Sequence, residues 1–147
     1  MTTSHEESNR LSQNRAIEIH DSILGSISIR NGDAEFRLVP AYIHKSTGEP
    51  GVDSGTGWVQ NIVLRIRNAN VCGAFSEMPR DLEGGTLRIG SISFDNMIPV
   101  RASYSGEVEL KLEALGESIS AKGTELQIEF LDTPRYVEEF HSDMADH

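Results

Sequence analysis

His20-Asp21-Ser22 places an imidazole, a carboxylate and a hydroxyl in consecutive positions. These are the residue types of a hydrolytic triad, in which the imidazole takes the nucleophile's proton and the carboxylate orients the ring. Adjacency works against that use, because neighbours on an extended strand point to opposite faces. His20 and Ser22 can share a face, yet Ser22 lacks the strained G-x-S-x-G elbow that exposes a serine nucleophile. A strand end closed by Asp and Ser side-chain hydrogen bonds accounts for the same three residues. No catalytic residue is assigned.

The histidines are His5, His20, His44, His141 and His147. No H-x-x-x-H or C-x-x-C spacing occurs among them and the single cysteine, so no metal ligand is assigned and no cofactor is expected. His20 and His44 meet only if their strands lie close, and Asp21 or Asp53 would then complete a site. That arrangement is the alternative reading of the chain as a metal-dependent or hydrolytic enzyme. Asp53-Ser54-Gly55-Thr56-Gly57 invites calcium, but calcium takes about six to eight oxygens and Asp53 with Glu49 supplies few. Neither phosphate-cradling glycine pattern is present, and the segment leads into no helix.

The elements around these residues are strands. Over 34–43, Phe36, Leu38 and Tyr42 alternate with Glu35 and Arg37, and Pro40 marks an edge, an end or a bulge. Over 58–67, Trp58, Gln60, Ile62, Leu64 and Ile66 share one face, and the β-branched content favours a strand. Between them runs H-K-S-T-G-E-P-G-V-D-S-G-T-G, residues 44–57, longer than the usual hairpin connection and rich in glycine and hydroxyls. Loops held by a rigid scaffold carry function more often than cores do. Trp58 stands where this loop re-enters the sheet, and a tryptophan with one wet end suits a binding surface.

Elsewhere, a first strand is expected over 16–20, and a turn or bulge at 23–25. Asn31-Gly32 predicts a two-residue hairpin turn with positive φ at both positions, pairing 25–30 with 33–43. A phase slip at Gly90-Ser91 predicts a bulge or corner. Val108, Leu110, Leu112 and Ala114 face inward on the clearest strand, and Gly123 is expected to turn the chain before Leu126, Ile128 and Phe130. Tyr136, Val137 and Phe140 fit one helical turn or a short docking edge strand. Cys72, in an apolar setting, reads as a small buried residue.

The expected fold is therefore all-β, a single-domain antiparallel β-sandwich or partly open barrel with little helix. A disordered tail is expected over 1–15, a β domain over 16–140 and a frayed end over 141–147. The 147 residues suffice for one core at 37% hydrophobic content. The net charge of -10 excludes a nucleic-acid binder, which needs a basic surface. No apolar run is long enough for a membrane span or a signal peptide, so a cytoplasmic location is expected. One cysteine agrees with a reducing compartment.

Glu107, Glu109, Glu113, Glu125 and Glu129 suggest an acidic face. A glycosidase would set two such carboxyls across an aromatic cleft, but the aromatics fall at inward positions. A solvated face answered by Arg30, Arg37, Arg65 and Arg67 fits better. The runs I-H-D-S-I-L (19–24) and 40–58 resemble those of small bacterial β-proteins, and the resemblance implies no activity.

The composition and motifs together point to a small binding or protein-interaction β-domain that catalyses nothing. Its partner would be a protein or a small ligand, met by the loop 44–58. The candidate contact residues are His44, Asp53, Ser54, Thr56 and Trp58, with His20 and Asp21. An acidic neutraliser or structural subunit bound to a basic partner is a further alternative. Exposed strand edges leave homo-oligomerisation open as well.

Overall fold

The computed structural model describes residues 14–46 and 54–140. Asp53 with the rest of 47–53, the first thirteen residues and the end 141–147 lie outside the described residues. The strands are β1 (Asn14–Glu18), β2 (Ile23–Arg30), β3 (Asp33–Ser46), β4 (Gly55–Arg67), β5 (Asn70–Gly73) and β6 (Arg80–Asp81). They continue with β7 (Gly84–Ile89), β8 (Ile92–Asp95), β9 (Met97–Pro99), β10 (Ser103–Ala114), β11 (Glu117–Phe130) and β12 (Arg135–Phe140). A single 3-10 turn, Ile19–Asp21, is the only helical piece among the described residues.

All pairings are antiparallel within one sheet, whose main path runs β6-β2-β3-β4-β11-β10-β7-β8. That sheet curls into a half-barrel, so of the two expected architectures the curled single sheet is the one found. β1 pairs with both β3 and β9, and β12 lies against β4. The concave face holds the core, with Phe36, Leu38, Ile43, Ile62, Leu64 and Ile66 from the β3–β4 pair. Val108, Leu110, Leu112 and Ala114 join it from β10, as their alternation predicts.

Breaks in alternation decide which side chains face outward. Register shifts between Leu38 and Ala41 place a bulge at Val39-Pro40, inside a long strand. An extra residue reverses the side-chain phase beyond it. Phe36 and Leu38 point into the core, and Ala41 and Ile43 resume that role after the bulge. Tyr42, expected to share the face of Phe36 and Leu38, is thereby turned to the convex side together with His44.

Other expectations are corrected in the same terms. Asn14 and Arg15 belong to β1 rather than to a tail. His20 and Asp21 leave the strand for the 3-10 turn, because Ile19 is buried and its amide donates to the Asn96 carbonyl at 2.9 Å. Gly90-Ser91 is the two-residue turn joining β7 to β8, which pairs Ile89 with Ile92. Gly123 turns nothing: it sits within β11, where a Cβ would lie 2.3 Å from the Arg67 carbonyl oxygen. Cys72 is an exposed free thiol on β5, not a core residue. The Asn31-Gly32 turn forms as predicted, with φ of 54° and 84°. Of the expected acidic face, Glu129 pairs with Arg65, Glu109 with Arg88 and Glu113 with Lys111, while Arg30 and Arg67 serve Glu35 and Asp33.

Candidate functional site

The end of the half-barrel where β1, β3, β4 and β12 run side by side gathers most of the chain's candidate chemistry. β1 sets Ala16 opposite His44 and Glu18 opposite Tyr42. On the other side of β3, Gly57 faces His44 and Val59 faces Tyr42. β12 brings Glu138 opposite Gly57 and Phe140 opposite Gly55. Opposed residues share a face, so Glu18, Tyr42, His44, Glu138 and Phe140 converge on the convex side.

Gly57 makes room for this cluster. A Cβ there would stand 1.9 Å from the Tyr42 hydroxyl oxygen and 3.1 Å from Phe140 Cε2. The Tyr42 hydroxyl donates to Glu138 Oε2 at 2.7 Å. Burial, and then the Glu138 carboxylate, push the Tyr42 phenol far above its ordinary pKa, so it remains a donor. Phe140 stacks on the His44 ring at 4.5 Å between centroids, with 15° between planes.

His44 is only 4% exposed, and among the described residues neither ring nitrogen has a hydrogen-bond partner. Unbonded polar atoms in a buried position are costly and call for an explanation. Glu18 Oε1 lies 3.6 Å from His44 Nδ1. Burial pushes the Glu18 carboxyl up, and His44 and then His20 pull against that shift.

Glu18 is also where His20 and Asp21 arrive. One ligand atom from each of Glu18, His20 and Asp21 lies within 4.8 Å of the other two. His20 Nε2 is 3.1 Å from Asp21 Oδ2. The Asn96 amide grips the other side of His20: its Oδ1 accepts the His20 backbone N–H at 2.9 Å, and its Nδ2 meets Nδ1. His20 and Asp21, singled out in the sequence, therefore group with Glu18, while His44 reaches the Glu18 carboxyl from outside that group. Sequence reasoning missed Glu18, although it precedes His20 by two positions in the Ile17-Glu18-Ile19-His20 alternation.

The other candidates sit elsewhere. Thr56 and Trp58 lie on the opposite face of β4, where the Trp58 indole N–H donates to Thr56 Oγ1 at 2.8 Å. The Lys45 ammonium stands 4.1 Å above the Trp58 ring, and Tyr136 meets it edge-on at 5.4 Å. Burial, then Arg15, lowers the Lys45 pKa. Ser54 occupies a bend at the described margin of the loop. Ser22 is no nucleophile in this geometry: its buried hydroxyl donates to the Glu18 carbonyl at 2.8 Å and accepts the Tyr42 amide at 2.9 Å.

Comparison with family models, with curated proteins and with solved structures gives no match. Among the described residues, no helix is long and apolar enough to cross a membrane.

Proposed function

We propose that the chain is a non-enzymatic binding module that takes a protein partner, in extended conformation, along the outer edge of β12. One observation carries this reading. Among the described residues β12 pairs with β4 alone, and Tyr136 and Val137 stand 55% and 45% exposed on it. An unpaired strand edge offers backbone N–H and C=O groups to an incoming segment, and side-chain contacts add selectivity. Trp58 and Lys45, packed against Tyr136 through the indole, supply an aromatic and cationic flank. The commitment of the Ser22 hydroxyl to backbone groups supports the non-enzymatic half of the reading. A single cysteine favours the cytoplasm as the place of action.

The test is selection of a random-peptide display library on the immobilised full chain, followed by affinity measurement on a Tyr136→Ser/Val137→Ser variant. Peptides with alternating apolar residues should enrich, and the variant should bind them about tenfold or more weakly, roughly 1.4 kcal/mol. A library that yields no enrichment, or peptides held equally by the variant, refutes the reading.

A further inference from the structure

A second strand edge lies on the far side of β3 and β4 from β12. We infer that the outer edge of β2 pairs antiparallel with β2 of a second copy of this chain, about a two-fold axis at Ser28. β6 covers β2 only at Ile23 and Leu24, and among the described residues no strand lies beside 26–30 on that side. Ile29 is 58% exposed there. Natural edges are guarded by proline, by inward charge or by a bulge. The bulge of β2 precedes this stretch, between Leu24 and Ser26, and Ser26-Ile27-Ser28-Ile29-Arg30 then keeps regular register with β3.

Hydrogen-bond parity fixes the register. The Asn31-Gly32 turn has positive φ at both central residues, so Arg30 and Asp33 form the hydrogen-bonded pair that closes it. Hydrogen-bonded and non-hydrogen-bonded pairs alternate along an antiparallel ladder. The backbone groups of Ser26, Ser28 and Arg30 are therefore committed to β3, and those of Ile27 and Ile29 point outward. A two-fold axis at Ser28 sets Ile27 opposite Ile29 of the second copy, and Ile29 opposite Ile27. Each such pair exchanges both of its N–H···O=C bonds, so every outward N–H between Ser26 and Arg30 is bonded. An axis midway between residues sets outward groups against inward ones and makes no ladder. An axis at Ile27 meets the bulge at Gly25, and one at Ile29 runs into the Asn31-Gly32 turn.

The side chains agree with the same axis. Ile27 and Ile29 lie opposite Phe36 and Ala34, so they share the core face of the sheet. Across the axis each isoleucine meets another, and exposed Ile29 gains an apolar neighbour. The other face sets Ser28 against Ser28 and Arg30 against Ser26, with no like charges opposed. Ser26-Ile27-Ser28-Ile29 reads nearly the same in both directions about Ser28, the self-complementarity that a two-fold interface requires. Charge also favours this edge for a second copy. A chain of net charge -10 repels its own kind. β2 bears no carboxylate, and its one charge is Arg30, whose side chain is 71% exposed. Two acidic chains meet there without carboxylates opposed across the axis.

The experiment makes the axis covalent. Residues opposed in a non-hydrogen-bonded pair have Cα atoms about 4.5 Å apart, within the span of a disulfide. In a Cys72→Ser background of the full chain, Ser28→Cys should form a disulfide-linked dimer under oxidised glutathione. Ser26→Cys should do so about tenfold or more slowly, because its two copies lie about 13 Å apart along the strands. Ile29→Lys places a common edge guard on the strand and should slow the Ser28→Cys cross-link about tenfold or more, with the β circular dichroism unchanged. Sedimentation of the unmodified chain should show a monomer–dimer equilibrium between about 10 µM and 1 mM, the weak range of a small interface. Ile29→Lys should raise that dissociation constant about tenfold or more. The inference is overturned by Ser26→Cys cross-linking as fast as Ser28→Cys, or by a Ser28→Cys rate that Ile29→Lys leaves unchanged. It is overturned equally by a chain that stays monomeric at about 1 mM, the outcome expected if a different strand covers β2. Ile29→Lys leaves β12 untouched, so the peptide selection there can succeed or fail independently of each of these results.

Discussion

Replacing Gly57 by alanine puts a methyl carbon 1.9 Å from the Tyr42 hydroxyl oxygen and 2.6 Å from its Cζ. The backbone cannot step aside, because Gly57 is held between His44 on β3 and Glu138 on β12. The Tyr42 ring must swing instead, and it then gives up its 2.7 Å bond to Glu138. A hydrogen bond to a charged group contributes roughly 1.5–3 kcal/mol. Leaving a side-chain rotamer adds about 0.5–1.5 kcal/mol. Against these, alanine restricts the unfolded chain and returns about 0.4–1 kcal/mol. The expected net destabilisation is about 1–4 kcal/mol, read as a shift in urea midpoint at constant slope. A loss of about 2.5 kcal/mol would lower Tm by roughly 5–10 °C in a chain of this size. In a Glu138→Gln background the same substitution should cost about 1 kcal/mol less, because the charged bond is already weakened. A Gly57→Ala loss under about 0.5 kcal/mol, or strict additivity with Glu138→Gln, would refute the packing argument.

Two further outcomes follow from the surface. The Arg65 hydrogen bond to Glu35, helped by Arg30 and opposed by burial, holds the Glu35 carboxyl below its ordinary range. Its stabilisation is present above the unfolded value of about 4.3 and is lost as pH falls through the depressed folded value. Glu35→Gln should therefore flatten the acid limb of a urea-midpoint profile below about pH 4.3 and lower stability above it; an unchanged acid limb counts against the pair. Cys72, exposed and unpaired, should react fully with a thiol reagent in the folded protein, and protection until urea is added would contradict its placement.

Alternation gave the strands of the core because each buried face repeats every second residue, as in Leu110, Leu112 and Ala114 on β10. The site was less legible because it depends on where alternation breaks. Pro40 signalled a bulge, but a bulge reverses every side chain beyond it, and the sequence alone left open whether Pro40 marked a bulge, an edge or an end. His44 was singled out as a loop residue; the reversal makes it a buried convex one. Gly123 carried the residue type of a turn, yet its role is close approach to the Arg67 carbonyl of a neighbouring strand, which only the pairing of β11 with β4 creates. Glu18 went unremarked because one glutamate in an alternating strand has no signature until His44 is placed beside it.

β12 shows how one added residue can serve two surfaces. In a regular strand Tyr136, Glu138 and Phe140 would all point the same way. The register shift between Tyr136 and Glu138 divides them. Tyr136 packs on Trp58 at the concave side, and Glu138 and Phe140 close over Tyr42 and His44 at the convex side. A partner strand that pulls or straightens β12 acts on the Phe140 stack as well as on the Tyr136 contact, since both hang from the same six residues. The strand whose outer edge is unpaired among the described residues is thus also the cover of the buried imidazole.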